Sequence, residues 1–296
     1  MKISVARMFS LQRTTGNFSP SLYDMQTYEK LKELGVDYSF IDESQECSSI
    51  DADIIDIMEI GRSTTIKYLY LEKPIVCTIL ENNPSTQLVP HGSMFVVKVK
   101  TPPEHEYMNG LDITFANVYF RERIKHYVTR CSFTRDVLLS TRIPWNAITV
   151  IPFAVDLNMF APREKPQDLV DKYSLKDKNV LLFVGRLDND KGVIELIEIF
   201  NSYYKTNNNA RLVCIGKSTI STGLDNRLKH RCGELNIDDK VIFIPSIPFN
   251  DMPKYYNLAD IYISPQHYPQ QFDFAMLEAL ASGLPLISMN MGGARD

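Results

Sequence analysis

The chain has 296 residues, 44% of them hydrophobic and 23% charged, with 13 glycines and 16 prolines. That is a globular balance with room for two domains at roughly 150 residues each, and it excludes a collagen, a coiled coil or a disordered chain. The 32 basic against 36 acidic residues give a net charge of −4, which argues against a dedicated nucleic-acid binder.

Short apolar runs alternate with helical patterns along the chain. Lys2 to Met8 reads as a strand, not a signal peptide, because it lacks an apolar h-region and a small-residue cleavage site. Pro20 opens a helix that runs to about Leu34, with Gly35 as its stop. Strands follow at Val36–Ile41 and Asp53–Met58, then a helix near Thr64–Leu71 and a strand at Pro74–Ile79. The polar stretch 81–92 reads as a loop. A helix near Ile113–Ile124, a strand at His126–Cys131, a helix at Phe133–Ser140 and a strand at Ile148–Ile151 complete the first half. The charged, proline-containing segment 160–172 is the expected linker.

The alternation then restarts. Strands are expected at Asn179–Val184, Arg211–Ile215, Lys240–Ile244, Asp260–Ile263 and Pro285–Ser288. Helices are expected at Gly192–Tyr204, Leu224–Leu235, Asp251–Tyr256 and Phe274–Ser282. Apolar strands alternating with helices predict an α/β fold, with parallel sheets covered on both faces. The expected domains are 1–165 and 166–296.

The familiar catalytic motifs are missing: there is no G-x-G-x-x-G, P-loop, H-E-x-x-H or G-x-S-x-G. The five histidines have no metal-ligand spacing, and the five cysteines form no C-x-x-C pair, which fits reduced thiols in a cytosolic protein. Asp51-Ala52-Asp53 has the D-x-D form of a metal motif, but it precedes a strand, where Asp is a common turn residue. No metal is expected.

Two places break the local rules. In VLLFVGRLDNDKG (180–192) a buried-type strand ends at Gly185, Arg186 follows, and Lys191 opens a helix. Carboxyl ends of parallel strands form ligand crevices. Two cations beside a helix N-terminus there make an anion site. The plain alternative is an exposed loop in which Asp188 and Asp190 pair with Arg186 and Lys191. In FAMLEALASG (274–283) a helix apolar nearly all round carries one charge, Glu278. A buried carboxylate needs a partner. A protein cation would serve, and so would the two hydroxyls of a ribose. Together the two places describe a nucleoside diphosphate site.

These residues resemble the retaining glycosyltransferases of family 4, which have the GT-B fold of two Rossmann-like domains facing a cleft. Gly185, Arg186, Leu187, Lys191 and Gly192 fit the family's Gly-Arg-Leu, three residues, Lys-Gly pattern. Glu278, Ala279, Ala281, Gly283, Pro285, Gly292 and Gly293 fit its later Glu-Ala-x-Ala-x-Gly-x-Pro and Gly-Gly signature. VIPFAVDLNMFAP (150–162) looks like its connector. The resemblance implies transfer of a sugar from a nucleotide-sugar to a sugar, lipid-linked or other hydroxyl acceptor, with retention at the anomeric carbon and no cofactor or metal.

In that reading Arg186 and Lys191 bind the diphosphate and stabilise it as it departs, and Glu278 binds the ribose. Gly16, in TTGNFSP, gives the backbone close approach to the donor. Gln270 stands where the family has a carboxylate against the donor sugar, and Asp273 where it has a glycine. Glu81 falls where the family often has a histidine and reads more simply as a solvated loop residue, as does His267. The basic cluster Arg121, Arg123, Lys125, Arg130 and Arg135 is either a solvated face or a surface for an anionic membrane or lipid-linked acceptor, which would place a cytoplasmic protein at the inner membrane face. The rival functions are a nucleotide-binding subunit without turnover and a nucleotide-sugar epimerase. Family members continue well past the Gly-Gly, so the second domain is expected to be cut short at Asp296.

Overall fold

The computed structural model describes residues 4–8, 30–41, 50–58, 74–78, 124–140, 143–188, 191–218, 224–266 and 273–296. They fall into two compact units, Met1–Pro152 with Asp296, and Phe153–Arg295.

In the first unit, parallel strands β1 (Ser4–Met8), β2 (Asp37–Ile41), β3 (Ile54–Met58), β4 (Ile75–Thr78), β5 (Ile124–Thr129) and β6 (Ile148–Val150) form a sheet in the order β2-β1-β3-β4-β5-β6. Gly35 precedes β2 with φ 79°, and its N–H and that of Val36 bond back to the carbonyls of Lys32 and Leu31. This is a Schellman stop, and it matches the expected helix end. Ile124, expected at the end of a helix, opens β5 instead, where it is buried next to exposed Lys125. Helix α1 (Ser132–Ser140) follows β5 and buries Thr134 and Leu138.

The second unit holds β7 (Asn179–Val184), β8 (Ala210–Ile215), β9 (Val241–Ile244), β10 (Ile261–Ser264) and β11 (Leu286–Ser288), all parallel, in the order β11-β10-β7-β8-β9. Its helices are α2 (Gln167–Lys172), α3 (Val193–Tyr204), α4 (Leu224–Glu234), α5 (Met252–Leu258) and α6 (Phe274–Ala281). Both faces of the sheet are covered. Val180 and Leu182 of β7 enter one apolar cluster with Val213 and Ile215 of β8. Leu181 and Phe183 enter the opposite cluster with Leu212 and Cys214. The period-2 alternation of a strand thus feeds two cores, which is why these strands read as unbroken apolar runs.

The segment expected as a linker does not behave as one. Phe160 is 0% exposed in the second unit's core, with ring centroids 5.5 Å from Phe249 and 5.8 Å from Tyr256. Asn257 donates to the Ala161 carbonyl at 3.1 Å and accepts from the Arg163 N–H at 2.5 Å. Lys165 pairs with Asp260 at 2.6 Å. The charged and proline residues of 161–166 lie on the outside of a strap that one aromatic residue anchors. Among the described residues, no helix is long and apolar enough to cross a membrane.

Candidate functional site

The strand order of the second sheet places β7 at its centre. The chain leaves β7 through α3 to β8 on one side and returns to β10 on the other. The carboxyl ends of β7 and β10 therefore border a topological switch point, where open α/β sheets bind ligands. The described residues that the sequence singled out in this unit lie there or on the helix after β10.

At the β7–β8 side the backbone is tightly set. Gly185 donates to the Ile215 carbonyl at 3.0 Å, and Leu187 to the Lys217 carbonyl at 3.1 Å, so the ladder outlasts both strands. Gly216 sits at φ 145°, and a Cβ there would lie 1.9 Å from the Gly185 carbonyl oxygen. Only glycine fits this approach. Arg186 emerges from the junction with its side chain 46% exposed. Its Nη1 donates to the Asp188 carboxylate at 2.5 Å, while Asp188 itself is 2% exposed and also accepts from the Ser218 hydroxyl at 2.8 Å. The buried carboxylate thus holds one edge of a guanidinium that offers five N–H donors in all. The local pairing expected for Arg186 and Asp188 is present.

At the β7–β10 side, Lys191 precedes Gly192, whose φ of 69° turns the chain into α3. The Lys191 side chain is only 10% exposed. Its Nζ lies 3.3 Å from Oδ2 of Asp273. Asp190 falls outside the described residues; among those described, Lys191 meets a carboxylate from 82 positions away. Asp273 does three things. Its Oδ1 accepts from the Ala275 N–H at 3.2 Å and caps α6. Its Oδ2 takes a 2.7 Å bond from the Gln266 amide as well as the Lys191 contact. Gln266 is 7% exposed, and its Nε2 also reaches the Ser264 hydroxyl at 3.2 Å. The Gln266 Oε1 is buried and has no hydrogen-bond partner.

Glu278 lies on α6 and is buried at 6% exposure, as the apolar helix around it requires. Among the described residues a tyrosine hydroxyl partners it: Tyr256 of α5 donates to Glu278 Oε2 at 2.7 Å. A carboxylate has about four acceptor positions, of which this bond takes one. Tyr262 on β10 donates to the Val184 carbonyl at 3.1 Å, tying β10 to the end of β7. Both phenols are held well above their ordinary pKa. Burial is the main cause for each. Tyr262 and Glu278 add to it at Tyr256, and Asp273 does so at Tyr262.

Arg186, Lys191 and Glu278 are therefore all in the second unit, two of them at the carboxyl end of its central strand. Gly16, Gln270, Glu81, His267, Arg121 and Arg123 lie outside the described residues. Of the remaining basic cluster, Arg130 donates to the Ile151 carbonyl at 3.1 Å, and Arg135 pairs with Asp136 at 2.8 Å and stacks 5.0 Å over Trp145. These contacts give both arginines structural work within the first unit. Sequence reasoning missed Gln266, Ser218 and Tyr256, polar residues whose role appears only when distant segments meet.

Residues 166–296 match the model of the family "Glycosyl transferases group 1". A putative glycosyltransferase, YtcC, of Bacillus subtilis is 31% identical over 152 residues, 49% of this chain and 37% of that protein. Mannosylfructose-phosphate synthase of Agrobacterium fabrum is 28% identical over 211 residues, 66% of this chain and 46% of that enzyme. The chain spans less than half the length of each. Among solved structures, Anabaena HepE in complex with UDP superposes with a TM-score of 0.69 at 15% identity, over 100% of this chain and 82% of that one. That likeness bears out the expected fold, two parallel-sheet units of GT-B type.

Proposed function

We propose that the protein transfers a sugar from a nucleoside diphosphate sugar to a hydroxyl acceptor, with retention at the anomeric carbon, and that its second unit binds the donor. The observation that carries this reading is the placement of Arg186 and Lys191 at the switch point of the sheet, with the buried carboxylate of Glu278 on the helix that follows β10. The family match over 166–296 supports it.

In this reading the two cations neutralise the diphosphate, where negative charge accumulates as the glycosidic bond breaks. Arg186 meets the phosphate oxygens with the N–H groups not engaged by Asp188, and Lys191 supplies a compact charge. Glu278 accepts the ribose hydroxyls while Tyr256 holds its other edge. Gln270 contacts the donor sugar, and Gly16 lets the first unit's backbone approach it. The leaving phosphate helps deprotonate the acceptor on the same face. We take the acceptor to be a sugar or lipid-linked hydroxyl compound bound by the first unit. No metal ion enters the scheme, because the cations already supply the positive charge.

The test is incubation with UDP-, GDP- and ADP-sugars and a panel of acceptors. Acceptor-dependent nucleotide release supports transfer. Tight nucleotide binding without release identifies a binding subunit, and sugar interconversion without release identifies an epimerase. Unchanged nucleotide affinity in Arg186→Ala refutes the site.

A further inference from the structure

We propose that Asp273 is an internal counter-ion, which occupies Lys191 in the absence of ligand and must yield it when a diphosphate binds. The inference rests on the nucleotide reading above. Lys191 is a largely buried ammonium at the start of α3, where the helix dipole disfavours a cation. Such a group requires a negative partner. Asp273 supplies it from the cap of α6, at the position where the resembled family has glycine.

The geometry makes this partner displaceable. The Lys191–Asp273 contact is 3.3 Å, longer than the ~2.7–2.9 Å of a strong charge-assisted bond. The same Oδ2 takes a shorter 2.7 Å bond from Gln266, and Oδ1 caps α6 through Ala275. When Lys191 turns to a phosphate, Asp273 keeps its amide and its cap, so one contact is exchanged rather than three broken. The Oε1 of buried Gln266 has no hydrogen-bond partner among the described residues, so the network beside Asp273 keeps a spare acceptor. The occupant is the diphosphate of the nucleotide reading above. Its affinity is held below what two cations alone would give, which favours release of the nucleotide product.

Calorimetric titration of UDP and of inorganic pyrophosphate into the wild type, Asp273→Asn, Lys191→Ala and the double variant tests this. Asn keeps the α6 cap and removes the charge. Asp273→Asn should bind both ligands about tenfold more tightly, and the gain should vanish when Lys191 is absent. Should Asn disturb folding, Asp273→Gly, which helix N-caps also tolerate, serves as the second variant. Equal gains with and without Lys191 would mean simple repulsion and overturn the counter-ion role. Unchanged or weaker binding in both Asp273 variants, with a wild type that binds, overturns it as well. If no form binds either ligand, the nucleotide reading itself fails and the proposal falls with it.

Discussion

The two cations of the site are held in different ways. Arg186 is restrained by its own loop: the paired carboxylate is two residues away, buried, and pinned by Ser218, on a backbone junction that admits only glycine. Lys191 is restrained across the fold by a side-chain network, Asp273, Gln266 and Ser264, which joins the ends of β7 and β10 to α6. A local pair orients a half-exposed guanidinium without consuming it. A long-range pair occupies a buried ammonium. The first arrangement is a scaffold and the second a competition.

The contrast can be broken most severely at its backbone side. Gly216→Ala places a methyl group 1.9 Å from a carbonyl oxygen, so it should lower unfolding stability by roughly 3 kcal/mol or more, read from urea denaturation. Next comes Arg186→Ala. It takes the guanidinium from the buried Asp188 carboxylate, so stability should fall by about 1–3 kcal/mol, while UDP affinity falls by about 10–100-fold. Loss of the fold together with affinity would show that Arg186 is structural.

On the network side, Tyr256→Phe removes the donor to Glu278 inside the core. It should cost about 1–2 kcal/mol of stability and weaken nucleotide binding severalfold, measured by thermal unfolding and titration. The smallest effect is in alkali. The Tyr256 and Tyr262 phenols lie well above the usual ~10, mainly through burial, so above pH 10 the unfolded chain releases protons that the folded chain keeps. Their contribution to stability is thus intact below about pH 10 and declines as pH rises beyond it. Tyr262→Phe should make the fall of the thermal midpoint between pH 10 and 11 shallower, with about 1 kcal/mol lost at pH 7 from the missing bond to the Val184 carbonyl.

Much of the second unit was legible in advance because its strands are buried on both faces. The expected strand Asn179–Val184 coincides with β7, and the other strands fall within a residue of expectation. Arg186, Lys191 and Glu278 stood out as charges where apolar periodicity or a helix dipole disfavours them. What was not legible depends on meetings between distant segments. Nothing in the spacing pairs residue 191 with residue 273, or turns a tyrosine of a short buried helix toward Glu278. Asp273 was visible only as a departure from a family pattern. Segment 160–172 misled for a related reason: one phenylalanine among charges and prolines carries no period, although it decides where the strap packs.

That strap bears on how the molecule can be dissected. The family match begins at residue 166, but the compact unit begins at Phe153. A fragment cut at the sequence boundary would lose Phe160 from the centre of a core, strip Asn257 of its Ala161 and Arg163 partners and leave Asp260 without its lysine. Such a piece would expose a hole lined by Phe249 and Tyr256 and would be prone to self-association. Whoever wishes to handle the second unit alone should place the cut ahead of Phe153.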